Sequence, residues 1–543
     1  LDFYARFNKF CLGLGYEEKI VYDQGAVEKM RQVVRDNPAM LLWTHKTYLD
    51  GMVVPKVLYD NDFPMPHMFG GANMNFPGLG FLLHRAGAIF IKRSFQDNEL
   101  YKITLRHYIG YLMEKRFPMN WAFEGTRSRM GKLMPPRYGL LKYVLEACHA
   151  TDATNIHIIP ISISYDLIRD VEEYATEQTG RGKGAESLRW FIGYIRSLAR
   201  PMGKVYMDIG EPVVLAEAPQ PDDKLALSKI AFEVAVEANH VTPITFPSLV
   251  TMSLLGASPG ALTEDEVVRE LDVLLAWAEA RELRISADFD RAYADQMEGL
   301  LGIMIDEGMV TRYDEGPDVV YAIEQEQHAV ASYYRNTIIH FFVNKAIIEL
   351  ALLKTSETEG AGALEVFWSE VDKLRDLFKF EFFYAPTDDF HEQIREELAR
   401  YAPHWEELLQ QGAPGFLQLQ TNMLLLVSHA TLLTYAEAYS IVAELLAGME
   451  SSEPLTEEQC VTRSLKLGHK AYLQSRISSP PTIGKLLFKN GFKMAEHWKL
   501  TMGGGADVAE ARQALAREIR DVLRRLELIR ALGVSIRGTL MEK

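Results

Sequence analysis

The chain has 543 residues, 48% hydrophobic and 24% charged, with a net charge of −16; this length and apolar content exclude disorder and suit two to four domains with sizeable cores. Its three cysteines, Cys11, Cys148 and Cys460, are odd in number and widely spaced, which argues for a reducing compartment and against a disulfide framework or a cysteine-ligated zinc site. No uninterrupted apolar run reaches the ~18 residues of a spanning segment, so a soluble or surface-attached protein is expected. The chain opens on Leu1, and the native N-terminus is expected upstream of it.

Charge is distributed unevenly. Residues 1–250 carry 29 Lys and Arg against 28 Asp and Glu, whereas 251–543 carry 29 against 46. Within the first half, 81–150 holds 12 basic and 5 acidic side chains, a surplus suited to an anionic substrate or surface. No helix-turn-helix, zinc-finger or RNP pattern accompanies it, so nucleic acid is not expected as a partner.

Along the chain, strands are predicted near 39–43, 66–70, 87–91, 118–123, 156–165 and 204–208. Helices are predicted at 25–36, 50–60, 97–116, 136–149 and 221–239, completing the βαβ rhythm of a layered α/β domain. In the stretch from Glu186 to Lys204, Leu188, Phe191, Ile192, Ile195 and Leu198 recur at helical spacing, flanked by Trp190 and Tyr194. Arg189, Arg196 and Arg200 form a basic stripe beside them. Such a helix can lie in an anionic bilayer interface or pack on the sheet. The turn-rich Thr242-Pro243-Ile244-Thr245-Phe246-Pro247 sets the expected boundary between an α/β domain, 1–245, and a mostly helical domain, 246–543. Beyond it, heptad-like spacing dominates, as in Val267, Leu271, Leu274 and Leu275. One β-hairpin is predicted from 309–313 and 319–323 around Asp314-Glu315-Gly316-Pro317. Gly360 to Gly362 and Gly503 to Gly505 read as flexible links. The helical region shows no catalytic constellation and is expected to support, self-associate or bind a partner.

The chemistry concentrates in four blocks of the first domain. In the first, His45 precedes Asp50 by five residues, directly after the apolar run Ala39–Trp43. On one continuous helix the two side chains would point about 140° apart, so they meet only if His45 lies in the loop before the helix. The carboxylate then fixes the imidazole tautomer and leaves the other nitrogen as a general base suited to a hydroxyl nucleophile. With 14 His in the chain such a pair also arises by chance, and it gains weight from the blocks that follow. Lys92 and Arg93 end the strand at 87–91, and Arg127 and Arg129 follow Glu124-Gly125 after the strand at 118–123. Arg binds phosphate oxygens in pairs, Lys adds a point charge and Gly125 admits backbone N–H groups, which together read as a phosphate cradle. Any one of these cations taken singly also fits a solvated surface. Glu124 is suited to holding substrate hydroxyls or the arginines, or to capping its loop. In the fourth block Pro160, Ile161 and Ser162 lie on an apolar strand that suits an acyl-chain wall or a plain core. Neither Ser128 nor Ser162 sits in a G-x-S-x-G elbow, which disfavours a covalent route.

In order and separation the four blocks resemble those of the glycerophospholipid acyltransferase superfamily, over about 40–245. The Gly70-Gly71-Ala72-Asn73-Met74-Asn75-Phe76 segment, Arg93-Ser94-Phe95 and Phe123 to Arg129 look most like the branch that acylates glycerol 3-phosphate or dihydroxyacetone phosphate at the first position. Lysophosphatidate acyltransferases commonly place Pro where this chain has Phe123. More loosely, the helical remainder, including Phe378 to Tyr384, resembles the bacterial membrane-associated glycerol-3-phosphate acyltransferases. The resemblance implies an α/β acyltransferase domain with a central mixed sheet flanked by helices, followed by a helical domain. It implies His45 as base, Asp50 as its orienter, Lys92, Arg93, Arg127 and Arg129 around the phosphate, and Glu124 with Gly125 at the acceptor site. The implied reaction moves a long-chain acyl group from acyl-CoA or acyl carrier protein to the sn-1 hydroxyl of glycerol 3-phosphate, yielding lysophosphatidic acid without a metal or further cofactor. Dihydroxyacetone phosphate is the alternative acceptor, and the implied location is an anionic membrane surface on the cytoplasmic face. A non-catalytic lipid-binding or scaffold protein would keep fold and charge without needing both His45 and Asp50.

Overall fold

The computed structural model describes residues 2–75, 79–92, 98–178, 188–357, 362–423 and 425–541, apart from the side chains of 188, 294 and 535–541. The chain forms two compact units. One comprises Leu1–Val171, Lys183–Pro247 and Ala278–Ile303, the other Glu172–Gly182, Ser248–Trp277 and Met304–Lys543. Each therefore takes chain from both sides of residue 245.

The first unit is built on a seven-stranded sheet: β1 (Ala39–Trp43), β2 (His67–Gly71), β3 (Ala88–Ile91), β4 (Met119–Ala122), β5 (Thr154–Tyr165), β6 (Val205–Ile209) and β7 (Val213–Glu217). The strand order is β3-β2-β4-β1-β5-β6, with β7 also pairing β5. β1 to β5 run parallel, while β6 and β7 pair antiparallel to β5, so the sheet is mixed, as expected. β7 begins just after Pro212, where the sequence signals the end of the domain; Pro is compatible with the start of an edge strand, which needs no N–H there. With these strands go α1 (Asp2–Leu12), α2 (Gln24–Asp36), α3 (Asp50–Asp60), α4 (Leu79–Arg85), α5 (Glu99–Glu114) and α6 (Tyr138–Ala150); of the next three helices, α7 (Val171–Gln178) belongs from Glu172 onward to the second unit, and α8 (Leu188–Ser197) and α9 (Lys224–His240) to the first.

Local chemistry explains several of these boundaries. Asp23, Asn98 and Asp223 cap α2, α5 and α9 by accepting from first-turn N–H groups, which satisfies donors a helix start leaves orphaned. All five residues of β1 are buried, as a continuous apolar run in the middle of a parallel sheet requires. In α3, Pro55 has no N–H to give the Gly51 carbonyl, and the Tyr4 hydroxyl of α1 donates to that carbonyl instead, at 3.3 Å.

The second unit is helical around His328–Ser356, whose side chains are buried on almost every side. The segment Gln325–Ser356 is long and apolar enough to cross a membrane, but 78% of its most apolar window is buried within the protein, the mark of a core helix. Glu349 on this helix accepts from the Val427 and Ser428 N–H groups at the start of helix Ser428–Ala447. The Thr311–Tyr313 and Val320–Ala322 strands form the expected hairpin, and Leu262–Thr263 adds a third strand. Gly503 to Gly505 differ from the flexible link expected. A Cβ on Gly503 would collide with the Ser452 carbonyl and the Gly504 N–H donates to Ser451 O at 2.7 Å, so these glycines permit a close backbone approach. Gly360 lies outside the described residues.

Candidate active site

Because β1, β2, β3 and β4 are parallel, their C-terminal ends share one edge of the sheet, where α/β folds expose reactive groups. The first three blocks leave from that edge: His45 after β1, Lys92 after β3 and Glu124 to Arg129 after β4. β4 is the immediate neighbour of β1, so the Glu124 loop meets the His45 loop directly. β3 is three strands from β1, on the order of 14 Å across at the usual interstrand spacing.

His45 lies in the 44–49 loop and Asp50 opens α3, the placement that five-residue spacing demands. The imidazole Nδ1 is 2.9 Å from Asp50 Oδ2. That same oxygen accepts from the Lys46 and Thr47 N–H groups at 2.6 and 2.9 Å, and Asp50 Oδ1 accepts from the Tyr165 hydroxyl at 2.5 Å. The carboxylate is fully buried and held by donors on both oxygens, so it can only accept from Nδ1–H. This fixes the tautomer with Nε2 unprotonated. The ring packs edge-on to Trp43 at 5.4 Å and its side chain stays 22% exposed, so the imidazole is not sealed from solvent.

Glu124 is a loop brace. Its two oxygens accept from the His45 N–H at 2.6 Å and the Met134 N–H at 2.9 Å, and Ser128 N–H donates to His45 O at 2.7 Å. Burial pushes the Glu124 carboxyl up to about 8, against the pull of those two N–H groups and the Lys46 ammonium. Burial likewise pushes the neighbouring Lys46 amine down, and its Nζ donates to Ile163 O at 2.6 Å. Gly125 adopts φ +65°, and a Cβ there would stand 2.6 Å from Arg137 Cγ, so both backbone and space call for glycine.

Arg127 is buried, its guanidinium 3.7 Å from the centre of the Tyr48 ring. Arg129 donates to Arg127 O at 2.8 Å. Lys92 is exposed at the far edge, its ammonium 5.5 Å over the Tyr101 ring. Arg93 falls outside the described residues, as do Phe76, Ser94 and Phe95. Pro160, Ile161 and Ser162 sit inside the sheet beside Leu42, Trp43 and β6. Ser162 shares a 2.8 Å hydrogen bond with Thr242, and the Ser128 hydroxyl donates to Lys132 O at 2.7 Å. Both serine hydroxyls are thus engaged in structure.

Several residues not assigned to the site from the sequence lie beside it. Thr47 donates to Asp170 at 2.5 Å and lies 3.0 Å from the Tyr194 hydroxyl of α8. Tyr48 packs against Trp190 and Tyr194 at 4.5 and 5.4 Å. Lys46, Thr47 and Tyr48 stand inside the His–Asp interval and Tyr165 ends the strand of the fourth block, three residues past Ser162, so position could have flagged them. Asp170 carries no signal in the sequence.

A sheet edge that joins a His–Asp pair to a buried arginine loop suits acyl transfer, and the acyltransferase family model matches residues 25–164. The protein is thus an O-acyltransferase by class. A second model, described as glycerol-3-phosphate acyltransferase C-terminal region, matches residues 174–502. The acyltransferase plsB1 of Mycobacterium tuberculosis is 33% identical over 523 residues, covering 95% of this chain and 84% of its own. The glycerol-3-phosphate acyltransferase of Pseudomonas aeruginosa is 24% identical over 492 residues, covering 86% of this chain and 57% of its own. The solved PlsC acyltransferase of Thermotoga maritima overlaps 44% of this chain and 77% of its own at 18% identity, with a TM-score of 0.27, too low to bear on the comparison. The chain belongs to the glycerol-3-phosphate acyltransferase family.

Proposed function

We propose that the protein transfers a long-chain acyl group from acyl-CoA or acyl carrier protein to the sn-1 hydroxyl of glycerol 3-phosphate, giving lysophosphatidic acid at the cytoplasmic face of the membrane. One observation carries the mechanism: His45 Nδ1 is committed to Asp50, so Nε2 is the basic nitrogen at the sheet edge. Nε2 takes the proton of the glycerol hydroxyl as its oxygen attacks the thioester carbonyl carbon. The tetrahedral intermediate collapses, the C–S bond breaks, and the imidazolium returns its proton to the departing thiolate. Asp50, hydrogen-bonded to Nδ1, stabilises the transient imidazolium.

The acceptor phosphate is assigned to Arg127 and Arg129, with Lys92 and Arg93, the cations of the second block, as further candidates; the buried setting of Arg127 supports this, since a desolvated guanidinium binds anions strongly. Glu124 and Gly125 shape the acceptor loop, and the apolar strand at Pro160, Ile161 and Ser162 backs the acyl side. The chemistry needs neither metal nor organic cofactor beyond the acyl carrier. Release of free thiol from palmitoyl-CoA, compared among glycerol 3-phosphate, dihydroxyacetone phosphate and lysophosphatidate, tests the assignment. Release stimulated most by lysophosphatidate would overturn it.

A further inference from the structure

Among its described residues the second unit buries four cationic side chains, and three of them are matched within the protein. Lys345 pairs with Glu349 at 3.1 Å and Arg525 with Glu370 at 2.5 Å, while Arg512 donates to the carbonyl oxygens of Leu500, Glu450 and Glu453 at 2.9, 3.0 and 3.0 Å. Arg335 is different. It is 4% exposed on the core helix His328–Ser356. Among the described residues its hydrogen-bond acceptor is the neutral Asn336 amide oxygen, which takes Nε–H and Nη2–H at 3.1 and 2.9 Å.

The charge of this guanidinium has no acidic counterpart among the described residues. The Tyr435 phenol acts on it electrostatically, but burial pushes that hydroxyl above its usual value, so it supplies no anion at neutral pH. A buried charge without a counter-charge is strongly unfavourable, and arginine does not relieve it by losing its proton. The geometry shows where a counter-charge fits. Asn336 Oδ1 occupies the Nε–Nη2 edge of the planar group, which leaves the Nη1–Nη2 edge with two parallel N–H bonds, the fork that binds an oxyanion through two oxygens.

Other polar groups stand on the same stripe of the helix, Ser332 one turn and His328 two turns toward its start. Ser332 is buried, whereas His328 is half-buried and lies 3.4 Å from the Ser258 hydroxyl. Burial and, to a smaller extent, the Arg335 charge push the His328 imidazole down, against its hydrogen bond to Ile323 O, so His328 feels the same uncompensated charge from the more open end of the stripe.

We propose that Arg335 holds a phosphate group that enters past His328, in a site built wholly from residues of the second unit. Phosphate suits the place better than carboxylate, because two of its oxygens fill the fork and others remain for the Ser332 and Ser258 hydroxyls. The site does not depend on the acyl-transfer reading above.

The chain, dialysed against chloride, is titrated with inorganic phosphate, glycerol 3-phosphate or adenosine 3′,5′-bisphosphate at constant ionic strength and followed by thermal unfolding and hydrogen exchange. Expected are a rise in Tm and slower exchange across the first three turns of the Arg335 helix. The ligand that acts at the lowest concentration identifies the source as free phosphate, the glycerol phosphate or the bisphosphate end of coenzyme A. The double variant R127A/R129A, weakened at the proposed acceptor site, should keep both responses, and Arg335→Met should lose them. Arg335→Lys keeps the charge without the fork and should bind on the order of tenfold more weakly. If Arg335→Met does not fold, Arg335→Lys and Ser258→Ala decide, since each should weaken the response in a folded chain. Responses undiminished in the Arg335 variants overturn the site, as does protection that leaves exchange in those three turns unchanged or the lack of any response in the wild type. Equal protection by acetate overturns the phosphate assignment.

Discussion

The Tyr165 hydroxyl stands 2.5 Å from Asp50 Oδ1, on the carboxylate oxygen opposite the one that receives His45 Nδ1. Asp50 is therefore braced from β5, the neighbour of β1 on the side opposite β4, and its orientation toward the imidazole depends on a residue more than a hundred positions away. A hydrogen bond to a charged group contributes about 1.5–3 kcal/mol, so Tyr165→Phe should lower kcat roughly tenfold or more. KM for glycerol 3-phosphate should stay nearly unchanged, because Tyr165 holds Asp50 and is not assigned to substrate. A rise in KM with kcat intact would remove Tyr165 from this role.

His45 and Asp50 should behave as one unit. His45→Ala, removing the proposed base, should cost ~10²–10⁴ in kcat, and Asp50→Ala should be comparable because the tautomer and ring orientation go with it. The double variant should be no worse than the poorer single variant, since groups that act together are non-additive. Steady-state kinetics on folded protein, checked by circular dichroism, gives the answer; multiplicative losses would separate the two residues.

Arg127→Lys keeps the charge and loses both the planar fork and the stack on Tyr48. KM for glycerol 3-phosphate should rise about tenfold while that for the acyl donor changes little. Parallel increases for both substrates would point to coenzyme A binding or to the fold.

Stability should fall as pH rises across the neutral range, through buried carboxyls remote from the chemistry. Burial, reinforced by nearby Asp288, pushes Asp166 up to about 7 in spite of hydrogen bonds from the Lys204 N–H and the Tyr206 hydroxyl. Burial also pushes Asp208 up to about 6, against Arg284. Between the ordinary carboxyl value of about 3.9 and these raised values the native state holds protons that the unfolded chain has lost. The associated stability is complete at low pH and disappears as pH climbs through 6 and 7. Urea unfolding at pH 5, 6 and 7.5 should show the decline, and Asp166→Asn should flatten it. An unchanged slope in that variant would assign the pH dependence elsewhere.

Much of the first unit was legible because its signals are local. Ala39–Trp43 reads as a buried strand from five consecutive apolar residues, and each of the other expected strands lies within about two residues of an observed one. The requirement that His45 lie in a loop followed from helix geometry alone. β7 was hidden because its neighbouring Pro212 is also what a domain end looks like. The tight packing at Gly503 was hidden because a run of glycines looks the same whether it is loose or closely approached.

By itself the sequence determined the order of strands and helices, the pairing of His45 with Asp50, and the basic character of the strand ends, since each depends on residues only a few positions apart. Only the tertiary structure decided which blocks are neighbours. The strand order β3-β2-β4-β1 puts the Glu124 and Arg127 loop beside His45 and sets Lys92 at the far edge, because hydrogen-bonded pairing, not chain order, fixes distance across a sheet. The same folding brought Tyr165, Asp170 and Tyr194 to the His45 loop. Their roles rest on hydrogen bonds spanning 24 to 147 positions of chain, and long-range contacts of that kind leave no periodicity for a sequence to display.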